Sequence, residues 1–335
     1  MFAQLRGKII VAVLIGLAVV VSISLFSDIG QVGASFASFN WAMLPAILGF
    51  TLLNYVLRWL KWDYFLRKMN MGDGVSYFDS GLLFTSGMVM AVTPGKVGEV
   101  LKSFLLKNIN GTPVAASAPI VLAERLTDGL AMLLLMGLGL TIYPAARPAF
   151  VALVILSVAG IIILQFRPLC ERILVLIARL PFGGKIAPPL TTVYESTHQL
   201  LSLQLLTVST IISVVSWFGE CVAMYYVLRG LGIEPSWYLL LVSTFVFAAS
   251  TLFGLVSLLP GGLGVSEASS TGMLVLLVPG LTVGAATAAT LIIRFCTLWF
   301  GVTLGAAALA LLGRRYPVDE EKAAPVRMAH EPPGR

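Results

Sequence analysis

Charge is what this chain has least of. Among 335 residues only 11% are Asp, Glu, Lys or Arg, against 58% hydrophobic, whereas soluble domains carry roughly 25% charged residues. So few polar groups cannot cover a water-soluble fold of this length, which leaves the bilayer as its solvent. Histidine is nearly missing: His198 and His330 are the two, and neither has a neighbouring ligand, which argues against a zinc site. The three cysteines, Cys170, Cys221 and Cys296, are scattered and lack metal spacing, so neither a disulfide framework nor a redox motif is expected. No P-loop run and no Gly-rich βα turn is present for a nucleotide, and no Ser-His-Asp constellation is legible. These absences exclude an ATP-driven pump and call for no cofactor and no metal.

What is there is apolar sequence in long runs, near 8–27, 41–60, 76–92, 114–142, 149–166, 203–228, 238–259 and 282–312, with a shorter one at 265–280. A crossing helix needs about 20 such residues. The run 8–27 is longer than a signal-peptide core and is read as a retained first span. The 22 Lys and Arg outnumber the 16 Asp and Glu. They sit between the runs, where they set topology and meet anionic headgroups; no nucleic acid is implied.

Arg6 and Lys8 place the N-terminus in the cytoplasm, and the second run brings the chain back there, where Arg58, Lys61, Arg67 and Lys68 cluster. Lys96, Lys102 and Lys107 follow the third run closely, so that run is expected to be re-entrant, returning the lysines to the inner face. The stretch 238–280 holds no Lys or Arg and is broken at Pro260-Gly261-Gly262, so it is expected to enter and return from outside. Residues 168–200 read as an amphipathic cytoplasmic linker interrupted at 181–184 and at Pro188-Pro189. Residues 316–335 read as a disordered cytoplasmic tail. Segment 97–109 reads as an interfacial helix, and Trp41, Trp59, Trp62, Trp217, Trp237 and Trp299 mostly as interfacial anchors.

Self-similarity adds the most. Pro94-Gly95-Lys96-Val97-Gly98-Glu99 is matched by Pro260-Gly261-Gly262-Leu263-Gly264-Val265-Ser266-Glu267, each after an apolar run. Each is followed by an arginine within a later run, 26 positions from Glu99 to Arg125 and 27 from Glu267 to Arg294. The expected fold is an all-α integral membrane protein with about six full spans plus two re-entrant helical hairpins. The hairpins form an inverted repeat, with units at about 41–142 and 203–312 in one membrane domain, 1–315. Such repeats are a common plan for secondary transporters.

An ionisable group near the centre of a membrane helix costs at least about 2.5–3.5 kcal/mol, so it faces a partner or water. Arg58, Glu124, Arg125, Asp128, Glu220 and Arg294 lie within apolar runs, with Lys96, Glu99 and Glu267 at the broken tips. The repeat suggests that Arg125 pairs with Glu99 and Arg294 with Glu267. Such pairs can simply lock the tips onto neighbouring helices. They can also hold an anionic headgroup, with glycines at Gly95, Gly98, Gly261, Gly262 and Gly264 admitting close backbone approach.

Arg58-Trp59, the stretch Thr93 to Glu99, Glu124-Arg125 with Asp128, and the stretch Pro260 to Glu267 together resemble the membrane region of lysylphosphatidylglycerol synthases, a flippase-like domain. The resemblance covers about 8–312 and places Pro94, Gly95, Glu99, Glu124, Arg125 and Asp128 on one motif set. Pro260, Gly261, Gly262, Gly264 and Glu267 fall on the second. It departs at Lys96, where relatives carry arginine, and at Ser266, commonly bulkier.

The resemblance implies a lipid translocase rather than an enzyme, in a bacterial inner membrane with both termini cytoplasmic. The lipid would be an anionic phospholipid or a polyprenyl-phosphate-linked lipid. Arg125 and Arg294 would hold its headgroup, while the carboxylates position the arginines or relay protons. No synthase domain is expected here, so a homodimer or a separate lipid synthase stands as the protein partner. Two alternatives are an intramembrane lipid-modifying enzyme using Glu124 and Asp128 as an acid/base pair, and a non-transporting dock for a synthase or glycosyltransferase.

Overall fold

The computed structural model describes residues 29–93, 98–179 and 183–316. The expected first span at 8–27, Arg6 and Lys8, the tip residues Pro94, Gly95 and Lys96, and the tail beyond Tyr316 lie outside them. Among the described residues all regular structure is helical. In order the helices are α1 (Ile29–Ser38), α2 (Leu44–Lys68), α3 (Tyr77–Gly87), α4 (Leu101–Asn110), α5 (Val114–Leu138), α6 (Arg147–Gln165) and α7 (Arg167–Ala178). They continue with α8 (Gly183–Leu200), α9 (Leu203–Gly230), α10 (Trp237–Val256), α11 (Val265–Leu277), α12 (Val283–Arg294) and α13 (Phe300–Arg315).

Local chemistry sets many of these limits. Asp79 N donates to Ser76 Oγ (3.1 Å) at the start of α3, Leu239 N to Ser236 Oγ (3.0 Å) at α10, and Ala285 N to Thr282 Oγ1 (3.2 Å) at α12. Each satisfies a first-turn amide. Gly111 closes α4 at φ 79°, where its N–H donates to the Lys107 carbonyl at 2.9 Å, the left-handed geometry glycine adopts without a Cβ clash.

Among the described residues five helical segments are long and apolar enough to cross a bilayer: Trp41–Lys68, Pro144–Gln165, Leu203–Gly230, Trp237–Val256 and Val283–Arg315. The protein is a multi-pass membrane protein. Two lengths depart from the sequence reading. Trp237–Val256, expected as half of a hairpin, has 20 residues, enough for the whole hydrocarbon. Its counterpart Tyr77–Gly87 has 11, about half. Helix α5 spans 25 residues, roughly 38 Å, but carries Glu124, Arg125 and Asp128 and so falls outside the five.

Two apolar clusters hold the bundle. One joins α5, α9, α10 and α12 through Met132, Met136, Met224, Phe245 and Ile292; the other joins α2, α3, α4 and α13 through Trp62, Phe65, Leu83, Leu106 and Leu309. Helices α6 and α7 have no buried residue. In the linker, Pro188 and Pro189 do not interrupt the chain; both lie inside α8. They fall in its second turn, where a missing N–H forfeits only bonds to the first turn. The end of α8 packs against α5, burying Ser196, Thr197 and Leu200.

Three other expectations give way. Segment 97–109 is no surface helix: α4 buries Leu101, Lys102, Ser103, Leu105 and Leu106. Trp62 and Trp217 are buried, so neither belongs to an interfacial belt, whereas Trp41 and Trp237 are exposed. Lys61 and Lys102 are sealed inside the protein, and Arg58 is nearly so. They therefore cannot count as cytoplasmic loop charge, which leaves Arg67, Lys68 and Lys107 as the described residues of those two clusters that can.

Candidate functional site

The second Gly-rich turn packs beside the segment that leads into the first. A Cβ at Gly261 would sit 3.6 Å from Val92 Cα, two positions before Pro94. In the second turn Gly261, Gly262 and Gly264 adopt φ of 61°, 67° and 86°, left-handed values that disfavour any side chain. They follow Pro260, which opens the short turn Pro260–Gly262. Gly264 N then donates to Glu267 Oε2 at 2.7 Å, capping α11.

Arg294 fastens this turn. Its Nε donates to Glu267 Oε1 at 2.5 Å and its Nη2 to the Gly261 carbonyl at 2.7 Å. A guanidinium has five N–H donors, so donors remain beyond these two. In the first turn Gly98 N donates to Thr93 Oγ1 at 2.9 Å, and Arg125 Nη2 lies 2.9 Å from Glu99 Oε2. Both arginine–glutamate pairs suggested by the repeat spacing are therefore present.

The rest of the charge forms a network around α5. Lys61 Nζ lies 2.5 Å from Asp128 Oδ1 and donates to Ser213 Oγ (2.7 Å) and Thr127 Oγ1 (3.1 Å). Ser213 Oγ donates to the same Asp128 oxygen at 3.0 Å. Asp128 Oδ2 is shared between Arg125 at 3.6 Å and Arg58 at 3.7 Å. Lys102 Nζ lies 2.5 Å from Glu124 Oε2 and 4.4 Å from the Trp62 ring centroid. Buried ion pairs of this kind persist only when hydrogen bonds supplement the Coulomb attraction.

A cavity of about 90 Å³ opens between α2, α4, α9, α11 and α12, lined by Arg58, Glu99, Lys102, Glu220, Ser266 and Arg294 among others. It has room for several waters or one phosphate-sized group. Arg58 is its least satisfied cation. Its Nε has no hydrogen-bond acceptor among the described residues, and its guanidinium lies 5.2 Å from the Trp217 ring centroid.

Arg125, Asp128 and Gly129 instead line a separate cleft of about 20 Å³, which shares Trp217 with the cavity, and Glu124 lines neither. The structure thus gathers Arg58, Glu99 and Arg294 at one cavity, with Glu267 behind Arg294. It leaves Glu124, Arg125 and Asp128 in the supporting network. Sequence reading missed Lys61 and Lys102 as buried partners because basic residues between apolar runs read as loop charge. Lys61 shares an apolar helix face with Arg58, three positions away, which was the available signal. No group of His, Cys, Asp and Glu among the described residues could hold a metal.

The comparisons with known proteins agree with this architecture. The chain is 28% identical over 229 residues to a UPF0104 membrane protein of Methanothermobacter thermautotrophicus, covering 62% of this chain and 66% of that protein, just under two thirds of its length. A further match from that organism, also called a UPF0104 membrane protein, is 24% identical and covers 82% of this chain and 86% of the relative. One from Methanocaldococcus jannaschii is 25% identical and covers 53% and 75%. The family model described as the lysylphosphatidylglycerol synthase TM region matches residues 10–305, most of the chain. This multi-pass membrane protein belongs to the family of the lysylphosphatidylglycerol synthase transmembrane region.

Proposed function

We propose that this protein is a flippase-like lipid translocase that moves a lipid with an anionic headgroup across the membrane, and is not an enzyme. One observation carries the reading: a single cavity takes cations from both Gly-turn units, Arg58 and Lys102 from the first and Arg294 from the second. Arginine offers planar, forked donors suited to phosphate oxygens. The headgroup role expected of Arg125 passes to Arg58, since Arg125 lies in the separate cleft with Asp128.

A second feature supports a lipid. An apolar groove of about 380 Å³, lined by Leu52, Val56, Phe78, Leu82 and Leu304, runs between α2, α3 and α13. It shares Tyr55, Phe84 and Met88 with the central cavity. An acyl or polyprenyl chain lies in the groove while its phosphate sits at Arg58 and Arg294. The two turn-and-arginine units work as inverted copies. Exchanging their conformations opens the cavity to one leaflet and then the other, with both termini cytoplasmic.

Glu124 and Asp128 suit positioning rather than acid/base work, each held 2.5 Å from a lysine and away from the central cavity wall. The test is scrambling of fluorescent phosphatidylglycerol, with phosphatidylcholine as control, in proteoliposomes. Accelerated movement of the anionic lipid, lost in Arg58→Ala and in Arg294→Ala, supports transport. A change in lipid mass without movement indicates an enzyme. Equal, background rates in wild type and both variants favour a docking role.

A further inference from the structure

Every buried carboxylate of the central network but one has a cation within 4 Å. Glu99 faces Arg125, Glu124 faces Lys102, Asp128 faces Lys61, Arg58 and Arg125, and Glu267 faces Arg294. Glu220, on α9, has none among the described residues. It is buried, accepts a hydrogen bond from Thr51 Oγ1 at 3.3 Å, and lines the same cavity as Arg58.

Among the described residues, the other charged groups lining that cavity besides Arg58 are Glu99, Lys102 and Arg294, each held by a partner of opposite sign. Arg58 and Tyr55 on α2, Cys221 on its own helix and Cys296 after α12 are the titratable groups whose fields meet it. On α10 the one titratable side chain, Tyr238, donates to the Leu277 carbonyl at 2.8 Å. Helix α5 turns its charged groups to Lys61, Lys102 and Glu99, and Arg294 of α12 is committed to Glu267. Arg58 mirrors Glu220, for its one carboxylate, Asp128 at 3.7 Å, is shared with two closer cations.

Resting on the headgroup reading above, we propose that Glu220 is a proton-binding site that couples one proton to one bound anion. In the empty cavity ionised Glu220 balances Arg58. When a phosphate group docks at Arg58, it takes over that balance, and Glu220 binds a proton from water. The cavity is neutral in both states, which a low-dielectric site demands, since an uncompensated buried charge is costly. No bond other than O–H forms, and the anion and proton travel together without moving net charge.

The test uses the full chain in phosphatidylcholine nanodiscs, titrated in weak buffer with phosphatidylglycerol or with glycerophosphoglycerol, its deacylated and singly charged diester, as the free anion. Wild type is expected to take up about one proton per anion bound, and its affinity to fall about tenfold per pH unit above the midpoint, the slope of one linked proton. A carboxylic-acid C=O band appears on binding in infrared difference spectra. Glu220→Gln binds with no proton uptake, no pH slope and no band. Should that variant misfold, Arg58→Gln serves instead: it shows the acid band before any anion is added and binds weakly. Proton uptake with glycerophosphoglycerol as well as with lipid supports the coupling and assigns recognition to the phosphate; uptake with the lipid alone supports it and shows that the acyl chains are required. Anion binding by wild type without proton uptake overturns this inference and leaves the headgroup reading standing. No binding of either anion overturns both.

Discussion

Lys61 Nζ lies 2.5 Å from Asp128 Oδ1, joining α2 to α5 in the interior. Removing the ammonium leaves Asp128, among the described residues, with the Ser213 hydroxyl and two more distant cations, Arg58 and Arg125 at 3.7 and 3.6 Å. Breaking a buried pair from one side costs about 3–5 kcal/mol, because it strands the other charge. Lys61→Met is therefore expected to unfold markedly earlier than wild type in a thermal melt in detergent. Adding Asp128→Asn should recover much of the loss by removing the stranded charge while keeping an acceptor for Ser213. A Lys61→Met protein as stable as wild type would show that the pair contributes little.

Arg294 serves a side chain and a backbone carbonyl at once, Glu267 and Gly261. Lysine keeps the charge but, as a point ammonium, cannot span both acceptors. One charge-assisted bond is worth roughly 1.5–3 kcal/mol, so amide exchange across Gly261–Glu267 should quicken about 10- to 100-fold in Arg294→Lys. Hydrogen-exchange mass spectrometry of that peptide reads it directly. Unchanged protection would mean that the turn holds itself, through Gly264 and Glu267 alone.

Helix α13 reaches α3 through glycines. A Cβ at Gly305 would lie 2.6 Å from Val89 N and 2.9 Å from Thr85 O, and one at Gly301 would lie 2.7 Å from Tyr55 Oη. Backbone atoms cannot swing aside, so Gly305→Ala must part the helices, at about 1–3 kcal/mol for such overpacking. Gly160 on α6 is the control, with nothing within 4 Å of a built Cβ; alanine there should be neutral or mildly stabilising. Melting temperatures of the two variants in detergent should diverge, with only Gly305→Ala falling.

The membrane character, the helical class and the two arginine–glutamate pairs were legible because each leaves a local mark: apolar runs, scarce charge, and a Pro-Gly turn with an arginine at fixed distance. The partners of α5 were not. Lys61 sits just past one apolar run and Lys102 in the segment between two, where a lysine bound for water and one bound for a carboxylate look alike. Only packing separates them, and it brings Lys102 to Glu124 across 22 positions and Lys61 to Asp128 across 67. Gly301 and Gly305 carried a signal that could have been read, since small residues four apart mark close helix contacts in membranes. That Glu220 stands apart from the ion pairs depends on where every cation points, and no spacing along the chain reports it.

Burial of Lys61 and Lys102 also removes charge from the topology argument, so orientation needs its own measurement. Asp73, between α2 and α3, and Glu234, between α9 and α10, are exposed and flank the outer ends of the two turn-bearing units. Cys221 and Cys296 are buried, so replacing Cys170 gives a background of low reactivity for single cysteines at 73 and 234. Arg67, Lys68 and Lys107 still favour the cytoplasm for the first of these loops. An impermeant maleimide applied to intact cells is expected to label position 234 and spare 73, with the pattern reversed in inside-out vesicles. Labelling of both positions from one side would make the units parallel. Alternating access by exchange of inverted halves would then be lost, even though Arg58 and Arg294 still share a cavity.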